Sequence, residues 1–425
     1  MVKKIVTMEK NILKYLIKTS EKYPNKFYIK TDKLEEGLTY SDFLLKTKQL
    51  ATFLINNGYH KQPILVNSRQ NPETIILFYA ILMSGNYYVP VAYDMPLERK
   101  RAIAQIIYSD FDLEKRISVE FSSENGFCVY NFDLDYQQNN CKQILSCDIN
   151  ESLINDYVNS INPNDPMNII FTSGSTGVPK GIIKTHGNMI SFIEAFASNF
   201  NLDENAIFGN QTPFYFDASA KDIYVAVKIG ATIQLISKEK FSFPAILIDF
   251  LNKTKINTIS WVPSALSIVA QFKAFSIMKP LYLKKVFFVG EIMPIKYLNY
   301  WKSNLENVSF YNLYGSSETA GIVCYYEIKD ILDECDKIPI GRPLSNANIY
   351  LINDNNELCK NGEHGEICIS GEMLAKGYYK NLSLTQKCFV QNPLNDKYME
   401  IIYKTGDLGY YDENGELIYS GRRDF

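Results

Sequence analysis

A stretch dense in glycine and hydroxyl side chains, Phe171-Thr172-Ser173-Gly174-Ser175-Thr176-Gly177-Val178-Pro179-Lys180-Gly181, lies between the apolar runs Met167 to Ile170 and Ile182-Ile183. It constrains the fold more than any other feature of the chain. Consecutive small residues at the end of an apolar run let backbone N–H groups converge into an anion-binding nest. Thr and Ser hydroxyls add donors and Lys180 adds a point charge, so the loop suits a polyphosphate. The competing reading is a plain Gly/Ser turn between two strands. Two other glycine loops are excluded by spacing. A Walker A loop needs Gly-Lys-Ser/Thr, whereas Pro179 precedes Lys180 and Gly181 follows it. A nucleophile elbow at Ser175 needs glycine where Ser173 stands.

The 425 residues, 46% of them hydrophobic, suffice for a large core divided into about two or three subdomains. A formal charge of −3, with acidic and basic residues interspersed, argues against a nucleic-acid partner. Eight cysteines without a CxxC pair, and three histidines, suggest neither a zinc site nor a disulfide framework. Reduced thiols in a cytoplasm fit that usage. Met1-Val2-Lys3-Lys4-Ile5-Val6 turns polar at Thr7 and Glu9, so no signal-peptide core forms, and no apolar run reaches the length of a membrane span. The chain reads as soluble, unexported, membrane-free and monomeric.

Apolar residues recur at helical spacing over Asn11 to Thr19, and Thr39 caps or precedes a helix whose apolar face includes Phe43, Leu44 and Leu50. Ile64-Leu65-Val66 reads as a buried strand and Glu73 to Met83 as a helix ending near Gly85. Strands alternating with helices over residues 60–290 predict an α/β fold with a doubly wound, mostly parallel sheet, whose ligands sit at the carboxyl ends of the strands. Residues 111–165 carry no usable motif, and Gln137-Gln138-Asn139-Asn140 reads as a surface insertion.

Thr172 to Gly181 resembles the phosphate loop of the adenylate-forming superfamily, which comprises acyl-CoA synthetases, luciferases and the adenylation domains of nonribosomal peptide synthetases. The resemblance runs from Leu38 to Asp424. Leu38 to Leu44 is similar to the first core motif, Gly85 to Pro96 with Arg99 to the second, and Phe216-Asp217-Ala218-Ser219 to the fourth. Tyr311-Asn312-Leu313-Tyr314-Gly315-Ser316-Ser317-Glu318-Thr319 resembles the fifth, with Ser316 and Ser317 where Pro and Thr are more usual. Pro339 to Pro343, Gly365 to Gly371, Ala375 to Tyr378 and Tyr403 to Leu408 continue the pattern. The implied fold is an α/β core of subdomains over residues 1–320 and a small distorted β-barrel subdomain over 321–425.

The resemblance also implies roles. Thr172, Ser173, Gly174, Ser175, Thr176, Gly177 and Lys180 would hold the phosphates of ATP. Asn312 would bond the adenine amino group, Tyr314 and Tyr419 would stack on its two faces, Asp407 would accept the ribose hydroxyls and Arg422 would add a ribose or phosphate contact. Glu318 would hold Mg²⁺, Thr319 would lie beside the α-phosphate, and these two with Lys180 form the expected catalytic set.

In the amino-acid-activating branch the motif-four aspartate, here Asp217, binds the substrate's α-ammonium; as plain structure it would be a helix N-cap. Lys221, four residues on, either pairs with an acidic substrate side chain, bridges to Asp217 or lies along the surface. Ala218, Ser260, Val286, Phe288, Leu313, Gly321 and Ile322 complete the expected acyl pocket, each with plain core as its alternative. Phe288 would fill volume that a large substrate needs, and Phe-x-Gly-Glu looks like the D-alanyl carrier protein ligases. His186 either gates the pocket or is a satisfied structural histidine.

In the family a C-terminal lid rotates about a hinge aspartate, here Asp424, and carries a catalytic lysine. The 425 residues stop at that hinge, so the expectation is the N-terminal core of a larger enzyme, with reduced activity by itself. The implied activity is ATP- and Mg²⁺-dependent adenylation of a small or acidic amino acid, with transfer to the phosphopantetheine thiol of a carrier protein. A synthetase for a des-amino carboxylic acid and a catalytically silent nucleotide-binding core remain open.

Overall fold

The computed structural model describes residues 9–122, 126–133, 138–143, 148–173 and 178–423. Local chemistry sets the helix starts. The Thr39 hydroxyl accepts the Asp42 N–H at 3.1 Å and opens the helix Tyr40–Asn56, as the sequence predicts. Asn71 accepts the Thr74 N–H at 3.0 Å, and Pro72 takes the first turn of the helix Pro72–Met83. From Thr74 to Met83 this helix is buried on every side, so it lies within the core rather than over it.

Two large sheets organise the molecule. One has eight strands, in the order Gly377–Tyr378, Pro179–Thr185, Pro166–Ser173, Tyr87–Ala92, Pro63–Ser68, Ile117–Ser122, Gly126–Phe132, Gln138–Gln143. Its centre is parallel and its flanks antiparallel. The other has nine, in the order Arg342–Pro343, Gly321–Ile328, Ser309–Ser316, Lys285–Val289, Thr258–Trp261, Ile207–Asn210, Thr232–Leu235, Phe27–Lys30, Gly37–Thr39. It is parallel from Ser309–Ser316 through Phe27–Lys30.

The main core lies between these sheets. It gathers Ile64 and Val66 from one, Ile233 and Phe287 from the other, and buried faces of the helices Tyr40–Asn56, Pro72–Met83, His186–Asn199 and Ala220–Ile229. A second cluster covers the outer side of the nine-stranded sheet, where Ile259, Trp261, Val286 and Phe288 meet Leu251, Leu266 and Trp301. Helices on both faces and a parallel centre are the doubly wound α/β arrangement the sequence predicts.

A third sheet of five strands runs from Ala347–Ile352 to Leu417–Arg422 and packs on a small core that it shares with Ala320, Val323 and Cys324 at the end of the nine-stranded sheet. The division expected at 320/321 falls inside the antiparallel hairpin of Ser309–Ser316 and Gly321–Ile328, both in the nine-stranded sheet. Residues 111–165 differ from expectation: they contribute Ile117–Ser122, Gly126–Phe132 and Gln138–Gln143 to the eight-stranded sheet and the helix Glu151–Ser160. Gln138, Asn139 and Asn140, read as a surface insertion, thus belong to its edge strand, and Gln137 lies outside the described residues.

Between two strands of the small sheet, the chain crosses to the eight-stranded sheet and is seamed there to the loop region. Gly377 and Tyr378 pair with Ile183 and Ile182, while the Ala375, Lys376 and Tyr379 N–H groups donate to the carbonyls of Glu318, Ile183 and Gly181 at 2.8, 2.9 and 2.7 Å. Among the described residues no helix is long and apolar enough to cross a membrane.

Candidate functional site

The glycine-rich stretch joins two antiparallel strands, Pro166–Ser173 and Pro179–Thr185, with Thr172 opposite Lys180. Gly174, Ser175, Thr176 and Gly177 lie outside the described residues, and of Ser173 only the backbone is described. Strand alternation sets Lys180, Ile182 and Lys184 on one face. Ile182 packs there on Ala375 and Tyr378.

The segment Tyr314 to Gly321 turns sharply. A Cβ on Gly315 would meet the Gly321 carbonyl oxygen at 2.1 Å, so only glycine fits that approach. Ala320 takes φ +53°, a left-handed conformation that a non-glycine residue adopts at a cost of about 1–3 kcal/mol. Within this turn the Thr319 hydroxyl accepts the Ser316 N–H at 3.2 Å and lies 2.9 Å from the carbonyls of Ser316 and Gly321. Glu318 is half-buried, and the Tyr378 hydroxyl donates to its Oε1 at 2.8 Å. The turn and the seam therefore hold this carboxylate from both sides.

Asp407 connects the small sheet to the same turn. Its Oδ2 accepts from the Tyr314 hydroxyl at 2.6 Å and its Oδ1 from Arg422 Nη1 at 3.0 Å. Burial pushes the Asp407 carboxyl upward, and the Tyr314 hydrogen bond and the Arg422 charge oppose that shift. Arg422 is exposed and Tyr419 half-exposed, so this cluster opens toward solvent. Asn312 donates its Nδ2 to the Pro339 carbonyl at 2.7 Å, which leaves the amide oxygen as the acceptor an adenine amino group needs. The structure thus brings together Asn312, Tyr314, Glu318, Thr319, Asp407, Tyr419 and Arg422 from separate parts of the chain. Asp424 lies outside the described residues.

The expected acyl pocket is less uniform. Asp217 opens the short 3₁₀ turn Asp217–Ser219 rather than the helix Ala220–Ile229 that follows. Its Oδ1 is in ion contact with the Nζ of Lys184, whose side chain is 0% exposed. Burial pulls the Lys184 ammonium down to about 7, against the charge of Glu318, which raises it. Lys221 is buried, and its Nζ donates to the Ala218 carbonyl at 2.6 Å. The break between the 3₁₀ turn and the helix explains why the i,i+4 bridge from Lys221 to Asp217 is not formed. His186 begins the helix His186–Asn199 and accepts the Ile12 N–H on Nδ1 at 3.4 Å; burial lowers it to about 4, so it is neutral at pH 7.

Parallel register decides which strand residues face the space between the sheets. Ser260 pairs with Phe287, Phe287 with Tyr311 and Val289 with Leu313, so all five share a face. Phe287, Val289, Leu313 and Ile322 belong to the core between the sheets. Val286 and Phe288, expected in the pocket, point the other way into the outer cluster with Trp261 and Trp301. The correction is by one residue: Phe287 and Val289 stand where Val286 and Phe288 were expected. The Ser260 hydroxyl is buried and has no hydrogen-bond partner among the described residues. Gly321 approaches Phe192 so closely that a Cβ would meet its ring at 3.0 Å.

The family described as AMP-binding enzyme matches residues 16–379. The D-alanine--D-alanyl carrier protein ligase of Bacillus velezensis is 31% identical over 400 residues, which cover 92% of this chain and 75% of that protein. The crystal structure of CmiS6 superposes with a TM-score of 0.81 at 20% identity, covering 97% of each chain. The N-terminal subdomain of Klebsiella oxytoca NpsA, in complex with 3-hydroxybenzoyl-AMSN, gives 0.78 at 20%, covering 97% of this chain and 100% of that one. At those identities the two structures speak for the fold.

Proposed function

This chain belongs to the AMP-binding enzyme family, and on that premise we propose that it activates an amino acid with ATP as an aminoacyl-adenylate, releasing pyrophosphate, and passes the acyl group to the phosphopantetheine thiol of a carrier protein as a thioester, with AMP leaving. The observation that carries the amino-acid part is Asp217, a carboxylate drawn between the two sheets and held against an ammonium. A mostly buried carboxylate is kept only where a cation meets it. The Bacillus velezensis relative, named for D-alanine and its carrier protein, supports the same reading. A small side chain suits the inner face lined by Phe287 and Val289, and the commitment of Lys221 to a backbone carbonyl favours small over acidic.

The residues present fit ATP and Mg²⁺. Asp407, oriented by Tyr314 and Arg422, suits a ribose diol; Lys180 suits phosphate; Glu318, steadied by Tyr378, offers a hard oxygen ligand. The metal, when bound, supplies charge neutralisation at the phosphates. A carboxylate oxygen of the substrate attacks the α-phosphorus in line, and pyrophosphate leaves. No protein nucleophile is needed. The chain's own contribution is to orient both substrates and to meet developing negative charge with Lys180 and the loop donors. Residues 1–425 taken alone are expected to bind both substrates yet turn over slowly, because in the family a lysine beyond the hinge completes the site. A cytoplasmic monomer completes the proposal.

A des-amino carboxylic acid is the second reading, and Lys184 is the observation that favours it, since Asp217 already has a cation. Thermal unfolding with Mg-ATP and a panel including D-alanine, L-alanine, L-aspartate and propionate separates the two, because a ligand of the native state raises the midpoint. Stabilisation beyond Mg-ATP by small amino acids alone is expected, and Asp217→Ala should abolish it while sparing the Mg-ATP effect. Equal stabilisation by propionate would hand the assignment to the second reading. An absent Mg-ATP effect would overturn the reading of the loop.

A further inference from the structure

The family resemblance gives no task to Lys184. Alternation along Pro179–Thr185 places it on the same face as Lys180 and Ile182, toward the space between the sheets. Its side chain is 0% exposed, and its Nζ has one hydrogen-bond partner among the described residues, Asp217 Oδ1, on a side chain itself 11% exposed. The other polar groups around it come from every neighbouring element. Asn168 stands opposite on the adjacent strand, His186 follows at the helix start and is neutral, and Glu318, engaged by the Tyr378 hydroxyl, acts on Lys184 through its charge. Before any ligand arrives, the charge of Asp217 is therefore balanced from within. An incoming α-ammonium would put two cations on one largely desolvated carboxylate, and a single negative charge cannot hold both.

We propose that Lys184 is a specificity-determining residue: an internal stand-in for the substrate ammonium, which holds Asp217 in the empty site and gives it up, as a neutral amine, when an amino acid binds. This rests on the amino-acid reading above. The proton of Lys184 passes to solvent, so amino-acid binding releases a proton and weakens as the pH falls. A des-amino acid brings no ammonium, leaves the pair intact and releases none. Burial, which already pulls the Lys184 ammonium down to about 7, brings the exchange within reach near neutrality.

The test is calorimetric binding of D-alanine, and of propionate as its des-amino counterpart, to the wild type and Lys184→Met in buffers of different ionisation heat. For the wild type, D-alanine affinity should fall about fivefold from pH 7 to pH 6, with proton release, as the loss of one proton from a group titrating near 7 requires. In Lys184→Met the profile should be flat, affinity at pH 6 about tenfold higher and Mg-ATP affinity unchanged. The variant should also unfold at a lower temperature without ligand, Asp217 being left unpaired, and gain more from D-alanine than the wild type does. A lysine of purely structural role would lower the midpoint without that larger gain. The proposal is overturned if Lys184→Met binds D-alanine no better and keeps the wild-type pH slope. Should the variant not fold, the wild-type slope and proton count decide, and a flat profile overturns it. If no amino acid affects either protein while Mg-ATP stabilises both, the amino-acid reading itself fails and takes the inference with it.

Discussion

The proposed nucleotide side and the proposed acyl side of the site handle charge in opposite ways. Asp407 meets an exposed Arg422 and the Tyr314 hydroxyl in a cluster open to solvent, where a ligand can join without displacing an ion. Asp217 meets a fully buried Lys184, so a cationic ligand must compete with a charge the protein supplies itself. The first arrangement suits a ligand that never changes. The second places selectivity in a particular pair of side chains, and a single substitution there can alter what the pocket accepts.

Three measurements put that contrast at risk. The largest effect concerns which face of the strand Lys285–Val289 belongs to the pocket. Phe288→Ala should cost about 3–5 kcal/mol in urea unfolding, as large-to-small changes in a packed core do, and leave acid selectivity untouched. Val289→Ala should instead widen the range of amino acids that support pyrophosphate exchange. A selectivity change in Phe288→Ala would return Phe288 to the pocket.

Next comes Asp407→Ala. Loss of a positioned polar group at a reacting site costs on the order of 10²–10³ in rate, so kcat/KM for ATP in the exchange assay should drop by that factor. D-alanine binding without ATP should not change. Equal loss on both sides would show that the two regions are not separable.

The smallest effect is acid-linked. The pKa of His186 is depressed in the folded protein, from 6.5 to about 4, so the unfolded chain binds the extra proton first and stability declines as pH drops from about 6.5 toward 4. That interval corresponds to about 3 kcal/mol at full burial. Unfolding titrations should show the decline in the wild type and a shallower one in His186→Gln, which keeps an acceptor for the Ile12 N–H. The same slope in both proteins would remove His186 as its source.

The proposed nucleotide side was legible in the sequence because its residues lie in short motifs dense in glycine, hydroxyl and charged side chains. Such residues have few interchangeable forms, and Tyr314 from the strand Ser309–Ser316 meets Asp407 from the strand Ile401–Tyr411, while Glu318 lies in the turn after Tyr314. The acyl side was harder for two physical reasons. Val286-Phe287-Phe288-Val289 is apolar throughout, since this strand is buried on both faces, and a run without alternation carries no sign of which residue faces which way. Lys184 ends an apolar run and reads as the place where a strand meets solvent, although its partner Asp217 lies 33 residues on. The strands between 117 and 143 escaped notice for a related reason. Their Asn- and Gln-rich edge resembles loop composition, and only pairing with a neighbour makes it sheet.

The seam between the loop strand and the segment Ala375–Tyr379 bears on how the protein breathes. The amides of Ala375, Lys376 and Tyr379 donate across it to carbonyls of the Glu318 turn and of the loop strand. Such hydrogens exchange with heavy water only when the structure around them opens, and they do so together when one event frees them all. Their shared protection is therefore a gauge of how often the segment Ala375–Tyr379 parts from the strand Pro179–Thr185. It can be read on the protein with no ligand present.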